Sequence, residues 1–470
     1  MLTRRSFLPA LAAPQVVTAS KTAAERLNVV FIAADDMNNS LGCYGHPIVK
    51  SPHLDRLAST GLRFDRAYCQ FPLCGPSRCS LLSGRRPDTT KIWENAIAVR
   101  EKVPDIVTLP QHFRNNGWLS ARYGKMYHMG VPTTVGSNQY DDPPSWDTAI
   151  SPKGLEHKTP GEGRNITPQI AEGGAMHYIA FKGDGSGQAD HGVAEGALET
   201  ISKNANKPFF LALGFVRPHV PLVAPDRFFD IYPLDKMTPV ANPLNDRDDI
   251  PRASEITINT RANDMSMSER DKREGLRAYY ASISYMDSNV GRVLDALERH
   301  KLRHRTIVVF WSDHGWHLGE HFRWQKRSLF EESARVPLIV SAPGRKARGK
   351  GTRALAELVD LYPTLVELAS LPVDPALEGQ SFTPLLDTPN RSWKKAAFTQ
   401  VWNQPDIIGR SVRTDRFRYI RWTGSQPGEE LYDHQTDPRE FTNLASGIKY
   451  KSTLDAMRST LDRGPRAARA

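Results

Sequence analysis

Cysteine is scarce in this 470-residue chain: Cys43, Cys69, Cys74 and Cys79 are the only four, all before residue 80. They show no paired C-x-x-C spacing, which excludes the common zinc-ribbon and redox arrangements. So few clustered thiols also exclude a disulfide framework. No run approaches the roughly 20 apolar residues that a spanning helix requires, so no membrane span is expected. Internal repeats are absent, which excludes a solenoid. Although the net charge is +10, there is no basic tract or zinc-knuckle pattern, and nothing argues for nucleic acid. What is present is an ordinary globular composition, 39% hydrophobic and 24% charged, long enough for one large domain and a smaller one.

The first residues read MLTRRSFLPALAAPQVVTAS. Thr3-Arg4-Arg5-Ser6-Phe7-Leu8, a short apolar stretch and small residues near Thr18-Ala19-Ser20 predict a twin-arginine export signal over residues 1–26. The mature protein is then expected in the periplasm or secreted, and with no lipobox cysteine no lipid anchor is expected. Those residues carry four cations and one acid, so the mature chain keeps an excess near +7. That excess suits a polyanionic substrate and equally a solvated surface.

Strands are predicted where apolar residues run nearly without interruption. These are residues 27–34, 62–67, 118–123, 208–215 and 306–311, with an edge strand at 336–341. Helices are predicted over 52–59, 107–116, 190–203, 274–300 and 355–371. Residues 129–187 and 220–270 read as long surface excursions walling a pocket. A proline-rich stretch, 372–389, marks a boundary. Beyond it three antiparallel strands and a closing helix at 454–461 are expected. The predicted domains are 27–385, catalytic, and 386–470, a C-terminal subdomain. The alternation of strands and helices predicts an α/β fold with a mostly parallel central sheet sandwiched by helices.

In such sheets, sites form outside the carboxyl ends of the strands. Four predicted strands end in Asp35-Asp36, Lys125 and His128, Arg217 and His219, and Asp313-His314. Asp35, Asp36 and Asp313 offer the hard oxygens that Ca2+ takes. Arg78 and Lys125 offer positive charge to an anion. His219 and Lys326 are candidate proton donors to a leaving oxygen, and His128 is placed to handle a nucleophile's hydroxyl. Pro76 suits a first helical turn and Gly84 a C-terminal stop, so Cys74 is expected at a helix N-terminus, where the backbone favours an anion.

The run Cys74-Gly75-Pro76-Ser77-Arg78, continued by Leu81, Gly84 and Arg85, matches C-x-P-S-R-x-x-L-x-x-G-R. It resembles the signature of the formylglycine-dependent, type I sulfatase family, and the resemblance extends over residues 27–445. It implies an alkaline-phosphatase-like fold, oxidation of Cys74 to formylglycine (3-oxoalanine) by a maturase, and a Ca2+ held by Asp35, Asp36, Cys74, Asp313 and His314. Gly124-Lys125 with His128, Arg217-Pro218-His219, and Gly319-Glu320-His321 followed by Trp324 and Lys326 resemble the family's other site elements. Arg217 and Trp324 are then expected at the substrate, Arg217 standing where the family element has lysine. The segments around Cys43, Gly84–Thr90 and Ser312–Trp316 are similar to those of iduronate-2-sulfatases. That similarity implies attack by the aldehyde hydrate on the sulfur of a uronic acid 2-O-sulfate in a polysaccharide. His314, where many sulfatases have Asn, also occurs in related phosphodiesterases and phosphonate monoester hydrolases, which is the alternative activity. An inactive binder of sulfated glycans with unconverted Cys74 is a further alternative.

Overall fold

The computed structural model describes residues 26–170, 174–258, 267–403 and 406–469. All but the last residue of the expected export signal lies outside the described residues. The main sheet has nine strands: β1 (Asn28–Ala34), β2 (Leu62–Tyr68), β3 (Leu119–Gly124), β4 (Thr148–Ile150), β5 (Phe209–Gly214), β6 (Thr306–Ser312), β7 (Arg335–Ser341), β8 (Lys350–Thr352) and β9 (Ala356–Glu357). Their order is β8-β2-β7-β6-β1-β5-β3-β4, and β9 also pairs with β2. Every pairing is parallel except those of β7, which runs antiparallel to both β6 and β2. The carboxyl ends of the other strands therefore share one rim.

The central strand explains its own position. All seven residues of Asn28–Ala34 are buried, and they alternate between two cores. Val30 and Ile32 face the helix Glu269–Arg299 through Ile283, Met286 and Val290. Val29 and Phe31 face the other side, where Phe31 meets Trp311 at 5.1 Å and Phe210 at 5.8 Å between ring centres. A strand covered on both faces needs this unbroken apolar run. The long helix starts earlier than the periodicity predicts, because Ser268 caps it and Asp271 returns the bond to the Ser268 N–H at 2.9 Å.

Three expectations change. β7 is an interior strand rather than an edge, consistent with its buried Val336–Ser341 run; β8 and β9 supply the outer pairing on β2. The helix predicted over 355–371 is only Leu361–Leu368, with Pro363 in its first turn, and Ala356–Glu357 pair with β2 instead. The excursion 129–187 contributes β4 to the main sheet, and two of its segments form a small sheet with Leu222–Pro225.

The C-terminal sheet holds β10 (Ala397–Asn403), β11 (Ile407–Arg413), β12 (Phe417–Thr423) and β13 (Gly428–Asp433), all antiparallel in sequence order. The fourth strand is not foreseen, because its Gly-Glu-Glu start reads as polar loop. The helix Lys451–Ala467 closes this sheet through Leu454, Met457 and Leu461. Two buried ionic clusters fasten it to the main sheet. In one, Arg418 of β12 lies between Glu331 and Glu440. In the other, Arg86 meets both Glu357 oxygens at 2.8 Å, Lys394 Nζ lies 3.0 Å from Glu357, and the Phe398 N–H donates to Glu357 at 2.9 Å.

The second cluster sets an acid response. Burial alone would raise the Glu357 pKa, but Arg86 and Lys394 outweigh it and hold the carboxyl well below its usual range. A depressed folded-state pKa contributes stability that is present above the unfolded pKa and lost as pH falls through the folded one. Unfolding free energy is therefore expected to drop below the ordinary carboxylate range, by up to about 1.4 kcal/mol per pH unit from this group. In Glu357→Gln the acid dependence should be shallower; an unaltered slope in denaturant titrations would contradict this assignment.

Candidate active site

Five strand ends build the site. β1 runs into Asp35 and Asp36, and β2 leads to the helix Cys74–Ser83. β3 ends at Gly124 before Lys125, β5 leads to His219, and β6 to Asp313 and His314. Cys74 opens its helix after an extended Leu73 that supplies no side-chain cap. The helix closes on Gly84 at φ 65°, whose N–H donates to Leu81 and Ser80. Gly124 is required as glycine, since at φ 78° a Cβ would fall 2.2 Å from the Gly214 carbonyl oxygen. This close approach lets the Lys125 N–H donate to Gly214 at 2.9 Å and sends its side chain across the rim.

The side chains interlock. Lys125 Nζ lies 2.6 Å from Asp35 Oδ2. Arg78 donates from Nε to Asp313 Oδ2 at 2.8 Å and from Nη2 to Asp35 Oδ1 at 3.3 Å. Lys326 Nζ lies 2.5 Å from Asp36 Oδ1 and 3.1 Å from Cys74 Sγ. His314 Nε2 is 3.4 Å from Cys74 Sγ and 3.3 Å from Asp36 Oδ1. His219 Nε2 is 3.5 Å from Asp36 Oδ2. Asp36 takes φ 61°, a strained conformation held by its N–H on Asp313 Oδ1 and by the Tyr279 hydroxyl on its carbonyl at 2.8 Å.

Burial makes these charges matter. Asp35, Asp36, Cys74, Arg78, Asp313 and His314 are wholly shielded, and Lys326 and His219 are 5% exposed. Burial alone would raise the Asp35 pKa, but the Lys125 ammonium and then the Arg78 guanidinium hold it well below the carboxylate range. Burial opposes a thiolate at Cys74, yet Lys125 and Lys326 draw its pKa down. Burial would discharge Lys326, but the Asp36 carboxylate moves its pKa upward and keeps the ammonium. Burial and then Lys125 push His128 down to about 2, so its ring is neutral, and its Nδ1 is buried without a hydrogen-bond partner among the described residues. His219 is likewise driven well below its ordinary value by burial and Lys326. Its Nδ1–H donates to the Val220 carbonyl at 2.6 Å, which leaves Nε2 as the bare nitrogen.

The donor set fits a hard divalent cation. Oxygens of Asp35, Asp36 and Asp313 lie within 4.8 Å of one another, as do ligand atoms of Asp36, Cys74 and His314. Asp36 Oδ2 is buried and accepts no hydrogen bond from the described residues. His314 donates Nδ1–H to the Gly315 carbonyl at 2.9 Å and turns Nε2 inward, a backbone contact that fixes the tautomer and orientation a metal-binding imidazole needs.

Two expected residues stand apart. The Arg217 guanidinium is buried against Glu156 and donates from Nε to the Val223 carbonyl at 3.0 Å. It does not join the cluster. Trp324 is fully buried in the core, where it pairs in register with Leu318 and packs over Gly275. Several contributors are not legible in the sequence. Tyr279 anchors Asp36 from the long helix, Ser312 Oγ accepts the Met37 N–H at 3.0 Å, and the Trp316 ring lies 5.7 Å from Lys326 Nζ. Tyr279 sits among other buried helix positions, and only its hydroxyl distinguishes it.

A mostly parallel sheet with buried carboxylates, a helix-start cysteine and three cations, Arg78, Lys125 and Lys326, at one rim defines a hydrolase for an anionic ester. The sequence model of the Sulfatase family matches residues 27–371, and that for "N-sulphoglucosamine sulphohydrolase, C-terminal" matches residues 319–466. The chain belongs to the sulfatase family and is a sulfuric ester hydrolase. It is 32% identical to the iduronate 2-sulfatase of Mus musculus, covering 93% of this chain and 94% of that one. It is 33% identical to a sulfatase of Formosa agariphila over 93% of this chain and 86% of the relative. The fold is shared with the phosphonate monoester hydrolase of Silicibacter pomeroyi at TM-score 0.78 and 20% identity, covering 94% of this chain and 96% of that one. The family generally uses formylglycine and a divalent metal.

Proposed function

We propose that this enzyme removes the 2-O-sulfate of a uronic acid in a sulfated polysaccharide fragment, with Cys74 converted to formylglycine by a maturase and Ca2+ as the metal. The observation that carries the reading is the convergence of Asp35, Asp36, Cys74, Asp313 and His314 at one rim. The likeness to iduronate 2-sulfatase over nearly the whole chain supports the substrate class. Asp35, Asp36, Asp313 and His314 would hold the cation beside residue 74. The cation would draw charge from the sulfuryl oxygens, and the hydrated aldehyde would supply the oxygen nucleophile.

This chain's own residues do the rest. Arg78 and Lys125 fix Asp35 and Asp313 and place positive charge where the sulfuryl group sits. His128, neutral and beside Lys125, accepts a proton from the nucleophile's hydroxyl. Lys326, which keeps its ammonium, or His219, once its bare Nε2 has taken up a proton, gives a proton to the leaving sugar oxygen. The proposed division is an export signal over 1–26, a catalytic domain over 27–385 and a subdomain over 386–470, with delivery to the periplasm or beyond.

Asp313→Asn removes one hard oxygen and leaves Arg78 a weaker partner. Its metal affinity is expected to fall about 10-fold or more; unchanged sensitivity to chelators would contradict the ligand role. The substrate is tested by comparing a 2-O-sulfated uronic disaccharide, an aryl sulfate and an aryl phosphodiester. Preference for the phosphodiester would favour the phosphonate-hydrolase-like reading, which His314 supports. Tight glycan binding without turnover by a protein retaining Cys74 would favour the inactive binder.

A further inference from the structure

Two adjoining cavities lie where β2, β7 and the C-terminal sheet meet, outside the site described above. Their volumes are about 600 and 630 Å3, within the range of ligand sites. Arg66, Arg353, Asp415 and Arg416 line both, so they form one groove crossed by the Arg66–Asp415 ion pair at 2.7 Å. Eight cationic side chains line it against three carboxylates. Those carboxylates are already engaged: Asp415 by Arg66, Asp65 by Arg63 at 2.7 Å, and Glu331 by Arg418.

Arg335, Arg353, Arg391 and Lys395 have no ion-pair partner among the described residues. The Nε atom of Arg335 is buried without a hydrogen-bond acceptor among the described residues, and that of Arg413 reaches only the already engaged Glu331, at 3.6 Å. A desolvated guanidinium N–H left unmet costs free energy that an anion's oxygens would recover. Trp393, tied by its indole N–H to the Leu355 carbonyl at 3.1 Å, adds an apolar ring to the wall.

At its Arg335 end the groove reaches the rim that carries the site. β2 ends at Tyr68, which pairs with Arg335 at the start of β7. β2 is three places from β1 in the sheet, a lateral distance of about 14 Å. We propose that this groove is a second binding site, which holds a sulfate- or carboxylate-bearing sugar unit of the same polymeric chain whose sulfate ester lies at Cys74. This rests on the polysaccharide reading above. A chain held at both places gains from effective concentration, so longer substrates bind more tightly than short ones.

The test uses the full chain and the triple variant Arg353→Glu, Arg391→Glu, Lys395→Glu, none of which belongs to the catalytic cluster. Unchanged turnover of a small aryl sulfate certifies the fold; Arg391→Ala serves instead if the triple variant does not fold. Binding of a heparin-derived dodecasaccharide is read by calorimetry, independently of turnover. The variant is expected to bind it about 10-fold more weakly, with a shallower salt dependence. In kinetics, KM for a sulfated hexasaccharide should rise by a similar factor while the disaccharide is unaffected. Equal dodecasaccharide affinity in both proteins would overturn the proposal, as would equally tight binding of a DNA strand of matching charge to the wild type. Failure of the wild type to turn over any sulfated sugar would instead overturn the substrate reading and leave the binding result to stand or fall by itself.

Discussion

Cys74→Ala is expected to abolish sulfate ester turnover, by at least about four orders of magnitude, while leaving the folded structure intact. The reason is chemical and local. Residue 74 starts its helix and lies against Lys326 and His314, and it is the position proposed above to carry the nucleophile. Alanine fits the same helix start and removes only one sulfur from a site whose walls are fastened by Arg78, Asp35 and Asp313. Steady-state rates together with circular dichroism separate loss of chemistry from loss of fold. A folded variant retaining more than about one per cent of the wild-type kcat would refute the nucleophile assignment.

Arg418→Ala is expected to cost about 3–5 kcal/mol of stability, the cost of breaking a buried ion pair by removing one partner. Arg418 is fully buried between Glu331 and Glu440, and His434 Nε2 lies 2.7 Å from Glu440. Burial alone would raise the Glu331 pKa, and Arg418 is the first of the groups that hold it low instead. Removing the guanidinium leaves two shielded carboxylates facing each other. Because Glu331 follows Lys326 by five residues, loosening this cluster should also blur the position of the site lysine. Denaturant unfolding measures the loss; a change below about 1 kcal/mol would show that solvent or neighbouring arginines compensate.

Much of this was legible in the chain because the relevant signals are strong and local. The apolar run at 28–34 can only be a strand covered on both faces, and acids at its end need positive partners. The C-x-P-S-R run carries its own helix start. Less legible were features that depend on pairing across long sequence separations. β7 reads as an edge strand because nothing in Val336–Ser341 announces that β2 will lie outside it. Arg217 reads as a substrate contact because its partner, Glu156, sits in an excursion without periodicity. Trp324 reads as a binding aromatic because sequence cannot tell an indole on a rim from one sealed over Gly275. Tyr279 was hidden for the opposite reason: a tyrosine on the buried stripe of a long helix is ordinary until its hydroxyl is seen on the Asp36 carbonyl.

The most direct test of the account is the mass of the peptide containing Cys74, taken from protein that turns over a sulfate ester. Conversion to the aldehyde predicts a peptide about 18 Da lighter than the cysteine form, in proportion to activity across preparations. A fully active preparation carrying only unmodified cysteine at position 74 would contradict it.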